Sequence, residues 1–408
     1  MDACRETGRM KNSSSITVDA FPDNGESLPP FDFQPLTRLV FGPGSLARLG
    51  QLVRELGGTR ALLVTDPGLE EAGHPQRAVE SLRDERLQIH VFDGVEENPT
   101  GRHVENGLKI ARQHRIDFLV AVGGGSSMDC AKGINFLFTN GGSMEDYVGF
   151  GKATKPMLPS IGIPTTAGTG SEAQSYALIA DERTHMKTAC GDKKAAFRVA
   201  ILDPEVTLSQ PAKVTAITGI DALAHALETY VTIRRNPLSQ TFAREAWRLL
   251  EPNFEMVLRE PQNIEARSAM QLGAHLAGLA IENSMLGACH ACANPLTAHY
   301  GITHGIAVGL MLPHVIRFNA PAVGSLYREM AHQAGLLDGD LHIAAESLAQ
   351  RIRHFMNSAG LPNTLSACGV SDGILDEMAQ EAAKQWTGRF NPRPVTAGEL
   401  RQLYQSAL

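Results

Sequence analysis

Residues 118–132 constrain the fold more than any other stretch of this chain. Five apolar residues, Phe-Leu-Val-Ala-Val, run straight into Gly123-Gly124-Gly125-Ser126-Ser127, and a helix-like Met-Asp-Cys-Ala-Lys follows. A strand this uniformly apolar is expected to be buried on both faces, as in a parallel sheet covered by helices. The glycines that end it let a ligand approach the backbone, and the unpaired N–H groups opening the next helix favour negative charge. A merely structural turn needs one or two glycines, so three in a row point to a phosphate.

The surroundings repeat the theme. Residues 61–65, 89–93 and 160–163 are further short apolar or β-rich runs, with a possible strand at 38–41, and helix-like segments separate them. This predicts a Rossmann-like α/β domain over residues 34–207 whose strand ends line one edge, where such sheets bind ligands. After Asp203-Pro204 the period changes: residues 220–232, 239–258, 264–281 and 342–359 all read as helices, predicting an all-α C-terminal domain over 208–408. Residues 1–33 are polar, with Asn-Ser-Ser-Ser and Pro29-Pro30, and are expected to form a mobile extension.

The formal charge is −7 and no stretch concentrates Lys and Arg, which argues against nucleic-acid or anionic-membrane partners and for a small-molecule ligand. No run of ~18 uncharged apolar residues suggests a membrane span. Six cysteines dispersed through 408 residues suit free thiols in a reducing, cytoplasmic setting better than a disulfide framework.

Three other segments bear on a nucleotide. Pro164-Thr165-Thr166-Ala-Gly168-Thr169-Gly170-Ser171-Glu172 gathers hydroxyls and glycines after a strand, as either an anion-binding loop or a Ser/Thr-rich turn. Asp66, at the end of strand 61–65, either holds a ribose diol and repels a 2′-phosphate, pointing to NAD over NADP, or is a helix cap or an exposed loop acid. Gly42-Pro43-Gly44-Ser-Leu-Ala47 matches a dinucleotide template, but Pro43 restricts the turn and the plainer reading, a strand-to-helix connection, is favoured.

A second chemistry lies further along. Asp221 and His225 are four residues apart in a helix-prone segment, so carboxylate and imidazole share a face. The segment from Cys289 to Gly305 carries His290, His299 and His304, and Pro295 and Gly301 are expected to fold it back on itself. Asp221, His225 and two of those histidines would give one oxygen and three nitrogen ligands, a set suited to Fe²⁺ or Zn²⁺. Cys289 and Cys292 form a C-x-x-C pair that reads as buried helix residues rather than a redox couple.

In combination these residues resemble the iron-containing (group III) alcohol dehydrogenase family from about Phe33 onward. The resemblance rests on Val64-Thr65-Asp66, Asn98-Pro99-Thr100, Gly123–Ser126 with Asp129 and Lys132, and the Ile163–Glu172 motif. It continues through Asp203-Pro204, Thr218-Gly219-Ile-Asp221-Ala-Leu-Ala-His225, and His304-Gly305 leading into Leu312-Pro313-His314-Val315. It implies the dehydroquinate synthase-like architecture, with cofactor and metal meeting between the domains. It also implies metal ligands Asp221, His225, His290 and His304, and NAD contacts from Asp66, Asn98, Gly124, Gly125, Ser126, Thr165, Thr166, Thr169 and Lys187. His299 is left as a bystander, His314 as structural, and a homodimer is expected.

One departure bears on catalysis. Where the family usually reads His-Pro-Leu-Gly, this chain reads Asn294-Pro-Leu-Thr297, so Asn294 stands where a histidine is thought to contact nicotinamide or relay a proton. Asn294 hydrogen-bonds but is no base near neutral pH. The expected activity is hydride transfer between NAD(H) and a small alcohol or its aldehyde or ketone. The alternatives are a lyase on the dehydroquinate-synthase scaffold and a catalytically impaired protein that binds NAD and metal.

Overall fold

The computed structural model describes residues 29–336 and 341–408, so the expected mobile extension falls almost wholly outside the described residues. The first half alternates β1 (Arg38–Phe41), α1 (Leu49–Glu55), β2 (Arg60–Val64), α2 (His74–Asp84), β3 (Gln88–Phe92), α3 (Gly101–His114), β4 (Phe118–Gly123) and α4 (Gly125–Asn140). There follow β5 (Gly149–Phe150), β6 (Ser160–Pro164), β7 (Tyr176–Ala180), β8 (Lys187–Gly191) and β9 (Val199–Leu202). Six strands form one sheet in the order β3-β2-β4-β6-β9-β1 with every neighbouring pair parallel, as the apolar runs predict.

Side chains of the central strands alternate between two cores, which is the period-2 rule at work. Leu62, Val64, Leu119 and Ala121 pack on one side with residues of α3 and α4. Ala61, Leu63, Val120 and Val122 pack on the other with residues of α1 and α2. From β2 the chain moves outward to β3, whereas from β4 it moves the opposite way to β6, so the sheet's switch point lies between β2 and β4. Ligands of such sheets sit outside the strand ends at that crevice, here between Asp66 and Gly123.

A small second sheet, β5-β8-β7, was not legible in the sequence; its β7 and β8 are antiparallel. The Gly42–Gly44 turn follows β1, but its donors are already taken. Gly44 N and Leu46 N each donate at 3.0 Å to the carboxylate of Asp203, which is fully buried.

Beyond β9 the chain is helical: α5 (Ala212–Val231), α6 (Pro237–Arg259), α7 (Ile264–Glu282), α8 (Ala288–Tyr300), α9 (His304–Gln333), α10 (Leu341–Ser358), α11 (Leu375–Lys384) and α12 (Ala397–Ala407). α5 is buried nearly all round, packed by α6, α7 and α9, so its polar residues face the interior. α9 is long and apolar enough to cross a membrane, but it is mostly buried and packs on α5, α8 and α10 as a core helix.

One sequence expectation is corrected. Pro295 does not break the segment after Cys289; α8 runs through it to Tyr300. The reversal comes at Gly301 alone, whose φ of +61° ends the helix in the left-handed conformation that glycine adopts without strain.

Candidate active site

The switch-point crevice opens into a cavity of about 740 Å³ between the sheet edge and the helices. Its walls include Asp66, Asn98, Gly124, Gly125, Ser126, Thr165, Thr166, Thr169 and Lys187 from the first half, and Asp221, His225, His290 and His304 from the second. Residues more than two hundred positions apart thus share one space.

At the sheet edge, β4 ends on Gly123 (φ +156°), where a Cβ would stand 2.3 Å from Ser127 Oγ. At Gly125 a Cβ would meet the Thr169 side chain at 2.8 Å, so that position too accepts only glycine without movement. α4 begins at Gly125 with no side-chain cap, which leaves its first N–H groups to face the cavity. Asp66 accepts from Ser127 Oγ at 3.2 Å, and burial raises its carboxyl above the usual range despite that bond. Asn98 has φ +55° and its N–H donates to Ser126 Oγ at 3.3 Å.

Behind this wall Lys132, fully buried, donates to Ser171 O, Ser171 Oγ and Tyr176 O at 2.7–2.9 Å, while Ser171 Oγ donates to Asp129 Oδ1 at 2.6 Å. Burial pushes Lys132 down and Asp129 up, each partly offset by the other's charge. The pair clamps α4 to the loop carrying Thr165–Thr169.

In the helical half, α5 presents Asp221 and His225 on one face, α8 brings His290 in its first turn, and α9 opens with His304. The Nε2 atoms of His225, His290 and His304 lie 3.3, 3.4 and 3.9 Å from Asp221 Oδ1. Neither Asp221 Oδ1 nor His290 Nε2 has a hydrogen-bond partner although both are buried. Orphaned polar atoms converging in this way are costly unless something binds them. Ligands 2.0–2.2 Å from a tetrahedral ion stand roughly 3.4 Å apart; His225 and His290 keep that spacing from Asp221 and His304 stands wider, while the ligand atoms of Asp221, His290 and His304 all lie within 4.8 Å of one another. Donor type and geometry both fit a divalent metal.

The electrostatics agree. Burial would raise the Asp221 carboxyl, but the His225, His304 and His290 rings together hold it far below the usual range. Burial would lower His290, yet the carboxylates of Glu228 and Asp221 outweigh it and raise the ring to about 9, marking surroundings that favour a cation. Burial and the Lys187 ammonium push His304 well down, and burial lowers His225, so both rings stay neutral and available as ligands.

The remaining candidates lie elsewhere. Asn294 is not among the cavity-lining residues; its amide donates to Gln385 Oε1 at 2.9 Å. His299 bonds Glu381 at 2.7 Å near the surface, and His314 is buried beside Arg353 with its ring pushed down to about 4, chiefly by burial. Sequence reasoning missed Tyr176, Ile281 and Leu286, which contribute apolar wall. It also missed Glu228 and the buried Glu172–His275 pair at 3.0 Å. A helical count from Asp221 would have found Glu228, seven residues on along the same face.

A glycine-turn crevice at the switch point of a parallel sheet, facing a buried carboxylate and three imidazoles, defines a class: enzymes that hold a dinucleotide against a metal centre. The chain belongs to the iron-containing alcohol dehydrogenase family. The model for "Iron-containing alcohol dehydrogenase" matches residues 36–204 and that for the "Fe-containing alcohol dehydrogenase family, C-terminal" matches 215–408. The chain is 34% identical over 404 residues to "Alcohol dehydrogenase 4" of Schizosaccharomyces pombe, covering 98% of this chain and 93% of the relative. It is 33% identical to the "NAD-dependent methanol dehydrogenase" of Bacillus methanolicus, over 90% of this chain and 97% of the relative. A solved 1,3-propanediol oxidoreductase superposes with a TM-score of 0.90 at 34% identity, covering 93% of this chain and all of that one. The protein is therefore an oxidoreductase of the alcohol dehydrogenase type, and none of these similarities points to the lyase alternative.

Proposed function

We propose that the protein transfers hydride between NAD(H) and a small alcohol or its aldehyde or ketone, using Fe²⁺ held by Asp221, His225, His290 and His304. The observation that carries this reading is the convergence of those four donors on the cavity that the glycine turn lines. When bound, the metal supplies Lewis acidity for the substrate oxygen, and the nicotinamide accepts or donates the hydride at C4.

The chain's own residues do the rest. Gly124, Gly125 and Ser126 offer N–H groups at the start of α4 for the pyrophosphate. Asp66 faces the ribose and disfavours a 2′-phosphate, which supports NAD over NADP. Asn98, Thr165, Thr166 and Thr169 supply polar contacts along the dinucleotide, and the Lys187 ammonium lines the same cavity and acts electrostatically on Asp221 and His304. Tyr176, Leu178, Ile281 and Leu286 give the cavity an apolar wall, which suits a substrate with a short carbon chain. Asn294 holds Gln385, next to Trp386, whose ring lies 5.5 Å from Tyr176, so its contribution is to steady that wall.

Zn²⁺ accepts the same donor set, and metal supply decides between the two. The cytoplasm is the proposed location, in keeping with the free buried thiols. A homodimer is proposed from the sheet's open edge, where β1 exposes Leu39 and Phe41.

The test is a panel of short alcohols, diols and aldehydes with NAD(H) and NADP(H), on protein loaded anaerobically with Fe²⁺ or Zn²⁺ and followed by NADH absorbance. Turnover that disappears on chelation, and in His290→Ala while NADH still binds, is the expected result. Full activity after chelation would overturn it.

A further inference from the structure

The start of α8 is unusual in how it is held. Its N-cap residue is Gly287, which provides no side-chain cap. The first N–H groups are satisfied by residues from other elements: Ala288 N donates to Asn391 Oδ1 at 3.2 Å, and Cys289 N donates to Glu228 Oε1 at 2.8 Å. The other oxygen of the same carboxylate, Glu228 Oε2, lies 2.5 Å from His290 Nδ1. Glu228 is buried, and no Lys or Arg forms an ion pair with it among the described residues. Gly287 is required for this approach, because a Cβ there would stand 2.9 Å from Asn391 Oδ1 and 3.0 Å from Glu228 Oε1.

We propose that Glu228 is a positioning residue for the metal centre: one carboxylate oxygen anchors the backbone at the start of α8, and the other fixes the tautomer and orientation of His290. The inference rests on the assignment of His290 as a metal ligand. An ionised carboxylate only accepts hydrogen bonds, so the imidazole proton must sit on Nδ1. Nε2, the atom that faces Asp221 Oδ1 and has no hydrogen-bond partner, is then the nitrogen at which a metal ion takes the place of a second proton. A carboxylate behind a metal-bound histidine raises the ligand's basicity and locks its ring, and losing such a partner typically costs 10–100-fold in metal affinity. Its negative charge also complements the positive end of α8.

The geometry makes a sharp prediction for glutamine. Glu228 receives two donors, Cys289 N–H and His290 Nδ1–H, whereas an amide has a single acceptor oxygen and presents N–H on the other side. In Glu228→Gln either the backbone of α8 or the ring of His290 meets a donor. If the ring yields, its proton moves to Nε2 and blocks coordination.

The experiment uses the full-length protein stripped of metal and titrated with Zn²⁺ against a chromophoric chelator, and with Co²⁺ for its visible spectrum. Glu251→Gln, which alters a buried carboxylate paired with Arg351 at 2.7 Å in the same helical half, is the comparison variant. Glu228→Gln is expected to weaken Zn²⁺ binding 10–100-fold and to alter the Co²⁺ spectrum, with NADH affinity unchanged, while Glu251→Gln changes neither metal readout. Glu228→Asp, which keeps the charge but shortens the arm, is expected to fall between and serves as the reading if the glutamine variant does not fold. Wild-type metal affinity and an unaltered Co²⁺ spectrum in both Glu228 variants would overturn the proposal. Failure of the wild-type protein to bind Zn²⁺ or Co²⁺ would instead overturn the ligand assignment beneath it.

Discussion

Cys289 and Cys292 flank a proposed metal ligand with the spacing of a redox pair, yet their environment makes them inert. Burial, with Glu228 nearby, pushes the Cys289 thiol far up, and burial does the same to Cys292. The Cys289 thiol donates to Val308 O at 3.3 Å, and the Tyr404 hydroxyl donates to Cys292 O at 2.7 Å. A thiol without thiolate character and without access does not react. Treatment of the folded protein with iodoacetamide should modify the half-buried Cys368 well before either of these, as read by peptide mass spectrometry; equal rates would contradict the described packing. Asp66 allows a second test at this scale. Asp66→Ser removes the charge that opposes a 2′-phosphate, and the ratio of kcat/KM for NADP⁺ to that for NAD⁺ should rise roughly tenfold or more. An unchanged ratio would mean that Asp66 does not face the ribose.

At the scale of elements, the Gly42–Gly44 turn shows why a short motif is ambiguous. It has the glycines of a phosphate-binding turn, but Asp203 supplies the negative charge from within the chain and also accepts from Glu205 N at 3.1 Å. Asp203→Ala leaves these donors unpaired in a buried setting and should cost about 2–4 kcal/mol of stability, measured as a lower urea midpoint. NADH affinity in the variant should stay near the wild-type value; a large loss there would restore this turn as a cofactor site. The same contrast explains what the sequence made legible. β2, β4 and β6 are buried on both faces, so their apolar runs stand out locally, and α5 carries Asp221 and His225 at a helical spacing that needs no tertiary knowledge. The strands of the small sheet are short and partly exposed, and they exist because β7 and β8 pair across an intervening turn. The trans-capping of α8 by Glu228 and Asn391 joins residues 61 and 103 positions apart, a relation no local pattern encodes.

For the molecule as a whole, the site exists only because the two halves keep their relative placement, and the loop after β6 is one place where they touch closely. Gly170, with φ +60°, lies against α7 so tightly that a Cβ on Gly278 would stand 2.5 Å from Gly170 O. Glu172 bonds His275, and Gln271 donates to Pro164 O at 2.9 Å, so three successive turns of α7 grip the segment that carries Thr165–Thr169. Gly278→Ala puts two effects in opposition. Helix propensity favours alanine in a helix interior by about 1 kcal/mol, while overpacking costs typically ~1–3 kcal/mol. Here the atom met is backbone, which cannot rotate away, so the upper part of that range applies and the clash wins. The variant should melt several degrees lower, and because α7 can make room only by displacing the Thr169-Gly170-Ser171 turn, NADH binding should weaken in parallel. A higher Tm with unchanged NADH affinity would show that propensity prevailed and that the halves do not meet at this point.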